Sequence, residues 1–273
     1  MEKINDLFRA AREGNADEVS SILKNNPAID INHQSEAGYN ALHSASIFGY
    51  AEVVKLLLEH PNIDVNRNYN DGRTAFSFSC AITSVSVSEV LIKDPRVDVT
   101  LADDKGRTPL WWASCYGMLK TVECIIASGR DLGDVKNDMG ADGWDGKNYT
   151  TLEIARKFKK TKVVTLLKGF LANPSWTRHE LRTKLGLFDE LAAGVFALIV
   201  FLCDDLLQLK EVVVEQSKKF DNSVRFFSIA KTLPMEIQML LCHRVVGSMK
   251  QNVLSNDSEP AFKALAKNII LVK

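Results

Sequence analysis

Within residues 1–170, apolar positions gather in short paired bursts separated by polar, turn-rich stretches. Leu7, Phe8, Ala10 and Ala11 form one burst, and Val19, Ile22 and Leu23 the next, with Gly14-Asn15 between them. Spacings of three and four place such residues on one face of a helix, so each pair predicts two short helices joined by a turn. Leu42 to Ala45 and Val53 to Leu58 repeat the pair around Gly49-Tyr50. Leu110 to Ala113 repeats it with Val122, Ile125 and Ile126 around Gly117. The third pair, Ala75-Phe76 with Val87 and Val90-Leu91-Ile92, has no glycine at Thr83, so its first helix is expected to be less regular.

The register is strict. Gly38, Gly72 and Gly106 recur at intervals of 34 residues, as do Leu42, Phe76 and Leu110, then Pro27, Pro61 and Pro95, then Asp30, Asp64 and Asp98. Four tracks at one period cannot come from composition alone. They mark a stack of units, none of which can bury its own faces without a neighbour. The start of a unit is clearest from Asp103 to Ala113. Gly106 suits a left-handed turn position, Thr108 can cap the helix that follows, and Pro109 occupies its first position, where a missing N–H is no loss.

These residues resemble the ankyrin-repeat signature. The resemblance implies an all-α fold class: a solenoid of about five helix-turn-helix-hairpin units, near 1–34, 35–68, 69–102, 103–135 and 136–170. It places a repeat domain at residues 1–172 and leaves a helical domain at 173–273. The first unit lacks a Thr-Pro-Leu-His start and carries Arg12, Glu13 and Asp17, as expected of a terminal cap with one solvated face. His43 stands at the signature histidine, which the resemblance expects to hydrogen-bond within the turn framework.

The fifth unit is displaced. Thr150 to Ala155 matches Thr108 to Ala113 at a distance of 42, so eight residues have been inserted. Asn148 falls where a glycine should stand, and asparagine tolerates the left-handed conformation better than most residues. The insertion lies between Lys136 and Tyr149 and should form a lengthened finger bearing Trp144. Its acids, Asp138, Asp142 and Asp145, lack the alternating carboxylates of a calcium loop and read as solvated. The basic run from Arg156 to Lys162 reads as the solvated turn of the last unit, in preference to a localisation signal or an acidic-partner patch.

Beyond Asn173-Pro174 the period stops and helices are expected at His179 to Leu185, Leu191 to Leu209 and on towards Phe220, Val224 to Thr232, Met235 to Gly247, and Ala261 to Leu271. Leu191 to Leu202 is apolar around nearly its whole circumference, so it should be buried on all sides. The apolar run from Leu191 to Cys203 has 13 residues, short of the ~20 that a bilayer span needs. Leu233 to Leu241 is similar to the opening helix of F-box-like segments, which some ankyrin proteins carry.

Composition narrows the function. Lys+Arg and Asp+Glu balance at 34 each, so no general field favours nucleic acid or anionic lipid. The start of the chain shows no basic stretch followed by an apolar run, and five unpaired-looking cysteines fit reduced thiols, so an intracellular protein, cytoplasmic or nuclear, is expected. No cofactor motif, metal-ligand spacing or catalytic constellation is found. Cys242 and His243, being adjacent, point about 100° apart on a helix and cannot act as nucleophile and base.

The resemblance also assigns a concave face to the residues after the hairpin glycines and to the ends of the first helices. Here these are Tyr39, Arg73 and Arg107, then Ile47, Phe48, Ala81, Ile82, Cys115 and Tyr116. Trp112 should border this groove and Trp144 stands on the finger. Aromatic residues and arginine dominate binding hot spots. The leading expectation is therefore a non-enzymatic interaction scaffold for a protein or peptide partner bearing an apolar anchor and a carboxylate, the latter met by Arg73 and Arg107. An adaptor whose C-terminal helices engage a ubiquitin-ligase core, and C-terminal helices that simply cap the solenoid, are the alternatives.

Overall fold

The structure is a computed structural model that describes residues 2–81, 85–203, 226–227, 229–230, 232–246, 253, 257–258 and 260–263. The chain divides into two compact units, Met1–Leu181 and Arg182–Lys273. In the first, paired helices follow one another: α1 (Glu2–Glu13), α2 (Ala16–Asn25), α3 (Ala41–Phe48), α4 (Ala51–Leu58), α5 (Ala75–Ala81), α6 (Val85–Lys93), α7 (Pro109–Tyr116) and α8 (Leu119–Ala127). Strands β1 (Met139–Ala141) and β2 (Asn148–Thr150) precede α9 (Thr151–Lys157), α10 (Thr161–Ala172) and α11 (Pro174–Lys184). Helices α1, α3, α5, α7 and α9 pack neighbour to neighbour in one layer, and α2, α4, α6, α8 and α10 in a second. This is the all-α solenoid expected, with one small sheet added by the finger.

The period is written in hydrogen bonds. Each layer-one helix from α3 onward opens on a side-chain cap: Asn40 accepts from His43 N–H at 2.8 Å, Thr74 from Ser77 at 3.2 Å, Thr108 from Trp111 at 3.2 Å and Thr150 from Glu153 at 3.3 Å. Each hairpin tip closes in the same register, through Ser35 N–H to Tyr39 O, Tyr69 N–H to Arg73 O and Asp103 N–H to Arg107 O. Asn32 donates to the Asn62 carbonyl at 2.7 Å and accepts from Asp64 N–H at 2.8 Å. Asn66 does the same one unit later with Arg96 and Asp98. One side chain thus satisfies a donor and an acceptor of the next unit, which locks the stacking distance.

Gly49 and Gly117 end α3 and α7 in the left-handed region, with φ of 80° and 77°. In the displaced unit that place falls to Lys159, with φ of 55°. Asn148, expected to be left-handed, lies instead in the extended strand β2 because the insertion pairs this stretch with β1. The first helix of the third unit, expected to be less regular, is α5, helical over Ala75–Ala81; Thr83, where the glycine is missing, lies outside the described residues. Helix α11 belongs mostly to the first unit: Arg178 donates to the Arg130 carbonyl at 3.3 Å and covers the Phe170 ring at 5.3 Å.

The second unit is built on α12 (Leu187–Cys203) and α13 (Met235–Val245). They share a core of Ala192, Phe196, Ile199, Ala230 and Cys242. Leu191 is 52% exposed, so α12 is not covered on all sides as its sequence leads one to expect. Its packing leaves Leu191 in solvent while Phe188 before it and Ala192 and Phe196 after it are buried. The expected helical stretch from residue 204 towards Phe220 lies outside the described residues, as do parts of those at Val224 to Thr232 and Ala261 to Leu271. Among the described residues no helix is long and apolar enough to cross a membrane.

His43 is fully buried; it accepts from Asn40 N–H at Nδ1 and donates from Nε2 to the Arg67 carbonyl at 2.7 Å. Burial holds its pKa down at about 4, so the folded ring stays neutral where the unfolded one binds a proton. Stability contributed by His43 is thus lost as pH falls from about 6.5 towards 4, amounting to about 2 kcal/mol between pH 7 and pH 5. Denaturant unfolding at the two pH values should show this loss, and His43→Gln should remove that share of it.

Candidate protein-binding surface

Equivalent positions of successive units meet to form a row of rings and guanidinium groups. Tyr39 stacks on Tyr69 at 4.2 Å between ring centres and lies 6.0 Å from Phe78. Arg73 covers Phe78 at 4.3 Å and reaches over Trp112 at 5.4 Å. Arg107 covers Trp112 at 4.2 Å, and Trp112 stacks on Tyr116 at 5.9 Å. Phe78, absent from the residues singled out by sequence, joins the row because it stands 34 positions before Trp112.

The arginines in this row are already engaged. Arg73 Nε lies 2.9 Å from the Asp71 carboxylate and Nη2 lies 2.8 Å from it. Burial opposes the Asp71 charge, but the Arg73 hydrogen bonds and charge outweigh it and hold the carboxyl below its usual range. Arg107 Nε donates to Asp103 at 2.8 Å, and the same carboxylate accepts from Lys105 N–H, Arg107 N–H and the Trp112 indole. Arg107 and Trp112 are buried. The expectation that Arg107 meets a partner's carboxylate is therefore corrected, since the buried Asp103 carboxylate needs an opposite charge and Arg107 supplies it; Arg73, half-buried, pairs with the half-exposed Asp71 of its own turn. Cys115, also expected on the open face, is buried too.

What remains open are the ends of the layer-one helices. Phe48 is 51% exposed at the end of α3 and Tyr116 is 39% exposed at the end of α7, two periods apart. Ile82, the position between them, lies outside the described residues. Phe158 takes the corresponding place after α9, where Trp144 meets it edge-on at 5.2 Å between ring centres. Trp144 itself is 69% exposed.

The finger is tied down on three sides. Ala141 N–H donates to the Lys105 carbonyl, and the indole of buried Trp111 donates to Tyr149 O at 2.9 Å. A Cβ on Gly140 would lie 3.0 Å from Arg107 Cα, so this strand can lie flush on the preceding hairpin only with glycine there. The third tie corrects the expectation of solvated acids. Asp142 is buried and bonded to Lys157 Nζ, which also donates to Asp145 at 2.6 Å. Tyr149 donates to Asp145 at 2.7 Å. Hydrogen bonds from Lys157, Tyr149 and the Lys147 backbone hold the Asp145 carboxyl well below its usual range. Trp111 and Lys157 were not singled out as candidates; adjacent tryptophans face different ways on a helix, and a lysine in a basic run gives no sign of its partner.

A groove of about 720 Å³ opens between α1, α3 and the turn before α3, lined by Phe8, Arg12, Glu36, Tyr39, Ile47 and Phe48 among others. Phe8 is in phase with Leu42, Phe76 and Leu110, which are buried, yet it is only half-buried and lines this groove. The first unit, read from sequence as a cap, thus supplies one wall of a groove.

Two parts of the chain match known families. Residues 4–69 match the family described as ankyrin repeats (3 copies), and residues 105–138 the family described as ankyrin repeat. The unit between them repeats the hairpin and helix-cap bonds of its neighbours. No curated protein matches the chain.

Lys157→Met would strand the buried Asp142 carboxylate without its cation. It should lower the thermal midpoint and change Trp144 fluorescence, whereas adding Asp142→Asn should recover much of the stability. Identical unfolding of Lys157→Met and the unaltered chain would contradict the tie.

Proposed function

This chain is an ankyrin-repeat protein, and from that premise we propose that it is a non-enzymatic scaffold that grips a protein or peptide partner on the face of its hairpin tips and layer-one helices. Ankyrin repeats are in general protein–protein interaction modules. The observation that carries the assignment of the face is the exposure of Phe48 and Tyr116 at equivalent positions two periods apart, beside an open groove. Behind them the rings and guanidinium groups are held by internal bonds, so little side-chain freedom is left to lose on binding. Trp144, placed against Phe158 by the finger, extends the same apolar line. The even balance of charge supports a protein partner over nucleic acid.

The test compares two double variants of the full chain for capture of a partner. Phe48→Ala with Tyr116→Ala should weaken a specific complex by about 2 kcal/mol or more, near thirtyfold, without changing the unfolding midpoint. Lys24→Ala with Lys55→Ala, on the second layer, should leave it unchanged. Equal binding by both would place the partner elsewhere.

A further inference from the structure

We infer that the groove between α1 and α3 selects an extended peptide segment that is basic at one end, apolar in the middle and acidic at the other. This rests on the reading of that face as the binding face. The groove differs from the rest of the face in its charges. Arg9, Arg73, Arg96 and Arg107 each hold a carboxylate of this chain. Arg12 is exposed and, among the described residues, meets no carboxylate at ion-pair distance; its guanidinium lies 5.9 Å above the Phe48 ring. Glu36, exposed in the turn before α3, likewise meets no cation among the described residues. His33, also in the lining, is turned to Asp30 at 3.9 Å.

These two charges stand at opposite ends. Arg12 lies at the end of α1 beside Phe48 at the end of α3, while Glu36 belongs to the turn that leads into the start of α3. Tyr39, Ile47, Phe48 and Phe8 supply the apolar lining. Helix α3 has eight residues and is about 12 Å long, a distance an extended chain covers in about four residues. The volume, about 720 Å³, is within the ~300–1,000 Å³ of sites that enclose a ligand. An apolar side chain seated on Phe48 would exclude water from beside Arg12 and so strengthen its attraction for a carboxylate. Opposed end charges also fix the direction in which the segment lies, since the reversed chain would bring like charges together.

The full chain is immobilised and used to select from a displayed library of random peptides; the enriched peptides are then synthesised and titrated by fluorescence anisotropy. The expected consensus has a Lys or Arg and an Asp or Glu about four residues apart with an apolar residue between them. Arg12→Glu and Glu36→Lys, both at exposed positions, should each weaken binding about tenfold, and a peptide with its acidic residue changed to lysine should bind Arg12→Glu better than the unaltered chain. A consensus without charges, or unchanged affinity on reversing Arg12 and Glu36, overturns the inference. If Phe48→Ala abolishes binding while the charge variants bind normally, only the charge selection falls. If no peptide is enriched whose binding Phe48→Ala reduces, the binding face falls with it.

Discussion

The carboxylate of Asp103 accepts four hydrogen bonds, from two backbone N–H groups of its own turn, from the Arg107 guanidinium and from the Trp112 indole. It is fully out of solvent. Taking such a charge from water costs several kcal/mol, which is offset only when a cation and donors surround it completely. The tip of the hairpin, the start of α7 and the face of the tryptophan are thus one object. Because Arg107 is held there, its backbone offers a flat shelf on which Gly140 rests, and the finger takes its position from that shelf. The same satisfaction removes Arg107 from the list of groups a partner could meet.

The insertion before the fifth unit shows how a repeat tolerates added chain. Between the third and fourth units one hairpin tip touches the next through Asp104 N–H and the Asp71 carbonyl. Across the insertion Ala141 N–H to the Lys105 carbonyl performs that task, so the row of tips continues. The extra residues form the loop between β1 and β2, and Lys157 draws its two carboxylates back onto α9. A stretch with three glycines has little apolar surface with which to order itself; buried ion pairing and backbone bonds supply the order instead. The outcome is an indole offered to solvent from a fixed base.

Much of the repeat geometry follows from sequence for local reasons. Thr108 and Pro109 start a helix wherever they are placed, a glycine allows a left-handed helix end, and a 34-residue period demands stacking. The caps at Asn40 and Thr74 follow by phase alone, and that at Thr150 from the match of Thr150 to Ala155 with Thr108 to Ala113. Phase likewise identifies Tyr39, Arg73 and Arg107 as one set of equivalent positions and Phe48 and Tyr116 as another, since equivalence is a property of the period.

Whether equivalent residues face solvent or their own turn is decided by neighbours distant in sequence. Phe48 and Tyr116 are open while Arg107 and Trp112 are closed because Asp103 draws the latter pair inward. Phase could not reveal that Asp142 is buried, since its cation arrives from the next helix, 15 residues on. Nor could it show that α1 forms a wall of a groove, because the opening depends on how Phe8 and Arg12 lie against Tyr39, Ile47 and Phe48, some 30 to 40 residues on. The sequence by itself determined the unit, its period and its helix boundaries, which rest on contacts within a few turns of chain. The tertiary structure alone decided which charges are paired internally, as at Asp103 and Asp142, and which stand open, because electrostatic satisfaction depends on what surrounds a side chain in space.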